Sequence, residues 1–523
     1  MSIRPFLIYV CSITYLVVPI VFFFLGWLRL SVGLPLSLLL FVASYALLKK
    51  VKSNVNNEKV IVISKEYWIA FLILFLFLLS TGNTGFLGCW GVDIPWRNAI
   101  YQDLIRQPWP VVYDYSQSML CYYMAFWLVP AEITSLLNLN EFGSNIILFL
   151  WMYFGLILIL FLLCTILKPK KEHIVLIVIL FLFFSGINTF GMIIKSFFIE
   201  PAPLITDFPG RDSWSFSDFS VNGIGMILII RSIFLCIADV YNQFFAIALS
   251  TLLFVRFRHY VDFYAFIGLI MLPYSPIGFI GLFVVELLEF LLNAINKRDG
   301  KEIGNYIKNS LSIVNIFAVI SIIPIFYMYF SMNSHAEVLL TVNTSKASFL
   351  SIPFAKIQVG HLIILFFYYY FYFLIYARLI YDSYKKEELY YIILLCLMVF
   401  PFFRIGDSAD FNFNATICPF IILFILIAKH LLKAISVNQM KVKDLVLVFC
   451  LSIAMLTPIT QIVTSFRGAY LNDSISHREF ALRKAWSSDL LQDSLRDKDA
   501  AHLKNFLIKQ YENKRFYCFF AKQ

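Results

Sequence analysis

One short polar stretch, residues 91–115, interrupts a chain that is otherwise rich in hydrocarbon side chains. Its sequence, GVDIPWRNAIYQDLIRQPWPVVYDY, holds three aspartates, two arginines, two tryptophans and three prolines. A carboxylate in a fixed position, such as that of Asp93, can act as a general base on a hydroxyl group. An arginine such as Arg97 can bind a phosphate through two parallel hydrogen bonds. These residue types therefore suit chemistry on a hydroxyl beside a phosphate at a membrane surface.

Prolines bound a helix within this stretch. Pro95 suits a first helical turn and Pro108 prevents continuation, so we predict a helix that ends near Gln107. Its apolar residues recur at i, i+4 and i+8, namely Trp96, Ile100 and Leu104. Such a stripe is typical of a helix that lies along a membrane surface. We expect the polar side chains Arg97, Asn98, Asp103 and Arg106 to occupy the other faces. Asp103 is expected to be a solvated charge, and Arg97 and Arg106 either anchor the helix at lipid headgroups or neutralise a phosphate.

Asp93 has two interpretations. An aspartate directly before a helix serves well as an N-cap. A fixed carboxylate at the water–lipid boundary can also deprotonate an acceptor hydroxyl beside a lipid phosphate in the same layer. The two roles are compatible, and Asp93 is the candidate catalytic residue.

The whole chain has the composition of a polytopic membrane protein. Of its 523 residues, 60% are hydrophobic and only 14% are charged. Apolar runs of ~20 residues cross a bilayer core, and they must satisfy their own backbone hydrogen bonds, so we predict an all-α fold. About thirteen transmembrane helices are expected from the apolar runs. They are residues 6–28, 30–48, 67–88, 142–167, 174–194, 223–255, 260–272, 275–293, 309–332, 357–379, 389–403, 411–429 and 445–466.

Short basic segments set the expected orientation. The positive-inside rule places them in the cytoplasm: 49–59, 168–172, 256–259, 296–302, 384–388 and 429–443. These lysines and arginines explain the net charge of +10 without a nucleic-acid partner. The transmembrane domain, 1–466, then has external loops at 89–118, 195–222, 333–356 and 404–410, and 467–523 form a short amphipathic helical tail.

One apolar segment, residues 119–139, conflicts with this alternation of cytoplasmic and external loops. If it crossed the membrane, segment 168–172 would lie outside. We therefore treat 119–139 as interfacial or re-entrant. A full crossing, which reverses the topology of all later segments, is the alternative.

Several blocks of the sequence carry a resemblance. Residues 93–131, DIPWRNAIYQDLIRQPWPVVYDY...LCYYMAFWLVPA, are similar to the motif D-W-x-x-H-N-A...D-L...W-P-V-x-Y...L-x-Y-Y-x-x-Y-x-L-P-A of a group of bacterial multi-pass membrane proteins. Further short blocks are FSGINTFG at 184–191, DSADFNFNATICPF at 407–420 and the terminal RFYCFFAK. Arg97 stands where that group has histidine, so no histidine role is carried over.

By its architecture the chain resembles the GT-C class of polytopic glycosyltransferases, whose first long external loop forms interfacial helices with an acidic residue. The resemblance implies a polyprenyl-phosphate-linked sugar donor. It also implies catalysis on the extracytoplasmic face of a bacterial cytoplasmic membrane.

Two further regions carry candidate binding residues. In the second external loop we select Asp212 and Trp214, because sugar rings stack on tryptophan and sugar hydroxyls pair with carboxylates; a plain connector is the alternative. Asp239 lies inside an apolar span with Arg231 two turns earlier. An ionisable residue at membrane depth indicates function by default. A buried polar network that stabilises the bundle is the alternative.

Arginines near span ends are the candidates for the donor phosphate. A departing phosphate gains charge as the glycosidic bond breaks, and an arginine fork stabilises it. The candidates are Arg404, Arg467 and Arg97. Asp407 and Asp410 share the hairpin of Arg404, where a plain turn is the alternative. The remaining side chains assigned to substrate binding are Trp96, Asn98, Asp103, Trp109 and Tyr113.

These residues favour a membrane glycosyltransferase. An acceptor hydroxyl, activated by Asp93, attacks the anomeric carbon in a single displacement, which inverts its configuration. The expected acceptor is a surface glycan or glycolipid, and a divalent cation is an optional cofactor whose ligands the sequence does not identify. Two alternatives stay open: an O-antigen or capsule polymerase, and a transporter or flippase of lipid-linked sugars, for which Pro273 and Pro276 interrupt spans.

Overall fold

The computed structural model describes residues 2–56, 58–84, 86–87, 94–114, 117–188, 213–221, 224–297, 299–332, 359–403, 410–470 and 506–522. For residues 95, 213–221, 224–229, 359–361, 364 and 467–470 it describes the backbone alone.

Helices make up most of the described chain. In the first half they are α1 Pro5–Trp27, α2 Leu30–Val55, α3 Lys65–Ser80, α4 Ile94–Arg106, α5 Ala125–Leu136, α6 Glu141–Leu167, α7 Ile174–Leu182 and α8 Ile233–Phe257. The next are α9 Tyr264–Leu269, α10 Pro276–Ile295, α11 Gly300–Ser310, α12 Ile313–Phe330, α13 Val359–Tyr369, α14 Ile375–Tyr384 and α15 Glu388–Val399. The last are α16 Asp410–Ala415, α17 Ile417–Ser436, α18 Val442–Ala454, α19 Leu456–Tyr470 and α20 Arg515–Phe519.

Short strands accompany the helices. They are β1 Ser2–Ile3, β2 Ile61–Val62, β3 Val112–Tyr113, β4 Ser118–Leu120, β5 Ser213–Val221, β6 Ile224–Ile229 and β7 Leu507–Lys509. β1 pairs with β2 and β5 pairs with β6, both antiparallel, and β3, β4 and β7 form a three-stranded antiparallel sheet. The predicted span 223–255 therefore begins with a strand, and its helix starts only at Ile233.

Polar caps fix where several long helices begin. The side chains of Asn140, Ser232, Ser275 and Ser312 each accept a hydrogen bond from a backbone N–H of the helix that follows. Each cap satisfies one of the N–H groups that a first helical turn leaves without a partner. The apolar runs thus become helices with defined starts.

Eight of the described helices are long and apolar enough to cross a membrane: α1, α2, α6, α8, α10, α12, the joined α16–α17 and the joined α18–α19. This confirms an all-α polytopic membrane protein. In an 18-residue apolar stretch of α8, and likewise in one of α16–α17, 89% of the residues are buried inside the bundle. These two helices therefore form its centre, and the others surround them.

The apolar segment 119–139 does not cross the bundle. It contains β4 and the 12-residue α5, which is about 18 Å long and shorter than the ~30 Å bilayer core. Both of its ends lie near α4: the Tyr101 hydroxyl of α4 lies 3.1 Å from the Thr134 hydroxyl near the end of α5, and β4 pairs with β3, just after α4. This geometry agrees with an interfacial or re-entrant segment, and the placement of 119–139 relative to the membrane stays a prediction.

The predicted span 260–272 is wrong. Its only helices are the short turn Val261–Phe263 and the six-residue α9, and the chain then turns at Tyr274 inside the protein. The Tyr274 hydroxyl donates to the carbonyl of Leu16, midway along α1, at 2.8 Å. Pro273 and Pro276 prevent a continuous helix here. The segment enters the bundle and returns along α10.

The six basic segments lie together at one end of the bundle. Ion pairs join Lys50 to Asp262, Arg256 to Glu58, Arg258 to Glu387 and Lys443 to Asp382. Asn296 bonds Glu388, and Lys168 lines one cavity with Lys429. The prediction that these segments share one side is confirmed. We call this the basic end; its cytoplasmic orientation stays a prediction.

The three-stranded sheet marks the opposite end, which we call the sheet end (residues 112–120 with 506–522). β7 pairs with β4, and the backbone N–H of Lys522 donates to the carbonyl of Trp27 at 2.8 Å. The Arg29 guanidinium donates to the carbonyls of Cys518 and Ala521. Residues 506–522 are therefore not the expected helical appendage but part of the folded bundle.

Candidate functional site

Helix α4 forms where the prolines predict it, but it is not a surface helix. Its polar side chains are buried: Arg97 is 5% exposed, Asn98 2% and Asp103 0%. The apolar stripe of α4 correctly identified one face, but α5, α6 and the sheet cover the other face as well. The expectation that Asp103 is a solvated charge is therefore wrong.

Asp103 is held by the sheet. The hydroxyl of Tyr113, in β3, donates a hydrogen bond to Asp103 Oδ2 at 2.6 Å. A buried carboxylate needs such donors because an uncompensated charge away from water is costly. The structure thus brings two predicted substrate-binding residues together as a structural pair.

A second group of bonds ties α4 to the start of α6. Gln102 Nε2 donates to Ser144 Oγ at 3.0 Å, and the Tyr101 hydroxyl donates to the Ser144 carbonyl at 2.9 Å. Tyr101 also lies 3.1 Å from the Thr134 hydroxyl of α5. Burial raises the pKa of Tyr101 above its usual value of 10.0, so this phenol stays protonated and able to donate. Neither Tyr101 nor Gln102 was among the site residues predicted from the sequence.

The two tryptophans predicted as binding residues in this region pack against residues from the N-terminal and C-terminal parts of the chain. Trp96 stacks on Phe506 with ring centroids 6.3 Å apart, and Trp109 lies 5.3 Å from Trp27. A side chain at Gly26 would lie 2.5 Å from the Trp109 ring, so this close approach requires glycine. Both tryptophans join α4 and its flanks to the sheet end.

Arg97 faces the central helix α8. Its guanidinium acts electrostatically on the hydroxyl of Tyr241, which accepts a hydrogen bond from Trp127 Nε1 at 3.1 Å. Asn98, next to Arg97, has a buried Oδ1 without a hydrogen-bond partner among the described residues. This region therefore presents a guanidinium, an amide and two large aromatic rings inside the sheet end.

Helix α8 departs from regular geometry at the same level. Val240 has non-helical backbone angles, φ −129° and ψ 38°. Asn242 is fully buried, and among the described residues neither its Oδ1 nor its Nδ2 has a partner. The kink thus places an amide with unused donors and an unused acceptor beside Tyr241.

Asp239 forms the ion pair that its position suggested. Arg231 Nη2 lies 3.3 Å from Asp239 Oδ2, and the Arg231 guanidinium lies 4.5 Å from the ring centroid of Phe413. Phe413 belongs to α16, which begins at Asp410. Asp239 and Asp410, which were predicted as separate binding residues, thus belong to neighbouring elements.

The second half of α19 lies next to the start of α8. Ser232 donates to Gln461 Oε1 at 2.7 Å, and Ser465 donates to the Ser80 carbonyl at 2.8 Å. Arg467 follows in the next turn, with its backbone alone described. Asn83, just after α3, also contacts α8, because its side chain donates to the Ile237 carbonyl at 2.6 Å. Gln461 was not among the predicted site residues, although an amide within an apolar span indicates a buried polar contact.

Several predicted site residues lie outside the described part of the chain: Asp93, Asp212, Arg404 and Asp407. Trp214 lies in β5, whose side chains are not described. Asp93 immediately precedes Ile94, the first residue of α4. Their assigned roles stay predictions.

Within the described ranges, no three His, Cys, Asp or Glu side chains are grouped so that they could hold a metal ion. The optional divalent cation stays untested. Comparisons with protein-family models, with curated proteins and with solved structures found no match for this chain.

Proposed function

We propose that the chain is a membrane glycosyltransferase that transfers a sugar from a polyprenyl-phosphate donor to an extracytoplasmic glycan or glycolipid. The main support is the polar region inside the sheet end, built by α4, α5 and α8. A sugar offers hydroxyls that both donate and accept hydrogen bonds, and the amides of Asn98 and Asn242 have unused hydrogen-bonding capacity. Trp127 and Tyr241, which are hydrogen-bonded to each other, are large aromatic residues of α5 and α8 in the same region.

The proposal assigns the phosphate to arginine. Arg97 lies in α4, Arg467 lies near the end of α19, and Arg404 belongs to the segment between α15 and α16. A guanidinium fork stabilises the charge that develops on a departing phosphate. Asp93, directly before α4, acts as the general base in this scheme, and single displacement gives inversion.

The GT-C architecture belongs to the same proposal, and without 260–272 the expected count of about thirteen spans becomes about twelve. The basic end then faces the cytoplasm, in keeping with the positive-inside rule, and the sheet end faces outward in a bacterial cytoplasmic membrane.

Asn242 offers a direct test. Burial of an unpaired amide costs about 1–3 kcal/mol, so Asn242→Leu should leave the protein as stable as the wild type or more stable. If the amide binds sugar hydroxyls, the same variant should raise KM for the donor about tenfold or more in a transfer assay with labelled polyprenyl-phosphate sugars. Ser250→Ala is the control, because Ser250 is a buried and unpartnered α8 residue nearer the basic end. Equal KM values in the two variants would remove Asn242 from the site.

One observation favours a second candidate, a transporter or flippase of lipid-linked sugars. The broken segment before α10 ends inside the bundle, and α10 carries the buried acids Glu286 and Glu289. Interrupted helices near the midplane and acids at membrane depth are typical of transporters. Translocation of a fluorescent lipid-linked sugar across vesicles, lost in Glu286→Gln and not accompanied by glycosyl transfer, would favour this function.

A further inference from the structure

A cavity of about 390 Å³ lies at the basic end, where α6, α14 and α17 finish and α7 begins. This volume falls within the ~300–1,000 Å³ that is usual for ligand pockets. Cationic and titratable side chains dominate its wall: Lys168, Lys170, His173, Lys429, His430 and Lys433. None of these residues belongs to the site at the sheet end.

The cavity retains an excess of positive charge. Among the described residues that line it, Glu387 is the one acid. Arg258 Nη2 lies 2.8 Å from the Glu387 carboxylate, and this hydrogen bond holds the pKa of Glu387 below its usual value. The acid is therefore ionised and already neutralised by an arginine, so it does not cancel the four lysines.

The two histidines differ in their partners. His430 is held at both ring nitrogens, by Ser383 at 2.8 Å and by Asp444 at 2.8 Å. His173 has a buried Nδ1 without a partner among the described residues. One wall of the cavity is thus fixed, and the other retains an unused ring nitrogen.

Lys168 is held in a backbone conformation that costs free energy. It caps α6 with φ 48° and ψ 52°, in the left-handed region where glycine is the usual residue. For a residue with a side chain this conformation costs roughly 1–2 kcal/mol. Glycine at this position would relieve the backbone strain, but it would also remove the Lys168 ammonium group from the edge of the cavity.

We propose that this cavity binds a phosphate group, carried by the headgroup of an anionic lipid in the adjoining leaflet. Basic pockets between transmembrane helices on the cytoplasmic side are suited to such headgroups. Lysines contribute as point charges that follow a mobile headgroup, whereas arginine fixes its orientation. The site does not depend on the proposed transferase activity.

The test compares lipid binding between matched variants. Full-length protein, stripped of lipid in detergent, is titrated with phosphatidylglycerol or phosphatidylcholine and the bound lipid is counted by native mass spectrometry. The site variant is Lys429→Ala with Lys433→Ala, at the exposed end of α17. The control is Lys301→Ala with Lys308→Ala, which removes the same charge from the exposed α11 at the same end. Each lysine near an anionic headgroup contributes roughly fivefold, so the site variant should bind phosphatidylglycerol about 25-fold more weakly.

A further arm separates the two sources of phosphate. Lys429→Arg with Lys433→Arg keeps the charge and should retain lipid binding. Loss of phosphatidylglycerol in the site variant alone supports a lipid site. Displacement of that lipid by millimolar inorganic phosphate supports the same phosphate site with a soluble ligand as an additional source. Equal binding by the site variant and the control, or equal affinity for both lipids in the wild type, would overturn the proposal.

Discussion

The hydroxyl of Tyr113 donates a 2.6 Å hydrogen bond to the carboxylate of Asp103 within the protein, where neither residue is exposed. This bond joins β3 of the small sheet to α4. It identifies Asp103 as a residue that holds the sheet end together. The region that carries the candidate site is therefore fixed by buried polar contacts as well as by apolar packing.

Loss of the Tyr113 hydroxyl should destabilise the sheet end. Tyr113→Phe keeps the ring but removes a donor from a buried carboxylate, which costs about 1–3 kcal/mol. Thermal unfolding of the purified protein in detergent should show a lower midpoint. Tyr327→Phe is the control, since Tyr327 is 66% exposed on α12. Equal midpoints for the two variants would mean that the Asp103 contact adds no stability.

The Arg231–Asp239 pair should behave as a coupled unit. Both side chains are largely buried, so removal of one partner leaves the other charge without compensation. We expect Asp239→Asn and Arg231→Gln each to lower stability, and the double variant to cost less than the sum of the two. A double-mutant cycle on the unfolding free energy measures this coupling. Additive effects would assign Arg231 to another partner.

The C-terminal helix α20 contains two phenylalanines that differ in burial and therefore serve as a variant and its control. Phe516 is 0% exposed and packs on Tyr329, with ring centroids 5.2 Å apart, whereas Phe519 is 64% exposed. Phe516→Ala should cost about 3–5 kcal/mol, as large-to-small changes of buried phenylalanines do. Phe519→Ala should change stability by less than about 0.5 kcal/mol. Similar small effects in both variants would show that residues 506–522 are a peripheral tail.

The sequence predicted much of the fold because its strongest signals are local. Apolar length located the long spans, Pro95 and Pro108 bounded α4, and the basic segments predicted one common end. The pairing of β7 with β4 joins residues from opposite parts of the chain, and no local pattern specifies such a partner. A run of alternating residues as short as Leu507–Lys509 also gives little strand signal.

The site was harder to predict than the spans for a related reason. Helical periodicity identified which residues of α4 share a face, but it does not tell which element covers that face. Trp96, Ile100 and Leu104 were correctly grouped as apolar, while α5 and the sheet buried Asp103 on the other side. Asp239 was easier, because Arg231 lies two turns away in the same segment and proximity in sequence gave its partner.

Native Cys518 provides a test of orientation. It is exposed at the sheet end, so in a Cys89→Ser background it should react with a membrane-impermeant thiol reagent in intact spheroplasts. Ser53→Cys in a background of Cys89→Ser and Cys518→Ser places an exposed thiol at the basic end and should react only after permeabilisation. The opposite pattern would reverse the topology and move the sheet-end site to the cytoplasm.

The last prediction concerns Asp93, the residue directly before α4. Asparagine caps helices about as well as aspartate, so a purely structural Asp93 predicts that Asp93→Asn is stable and active. A general base predicts that the variant is stable but slow, because the loss of such a base typically costs ~10² to 10⁴ in rate. Transfer from a labelled polyprenyl-phosphate sugar should be measured for both proteins, with the unfolding midpoint measured in parallel. Asp114→Asn is the control, since Asp114 is exposed in the same stretch and its change should leave turnover near the wild-type rate. If Asp93→Asn retains wild-type turnover, the carboxylate is only a cap, and the base must be sought among Asp212, Asp407 and Asp410.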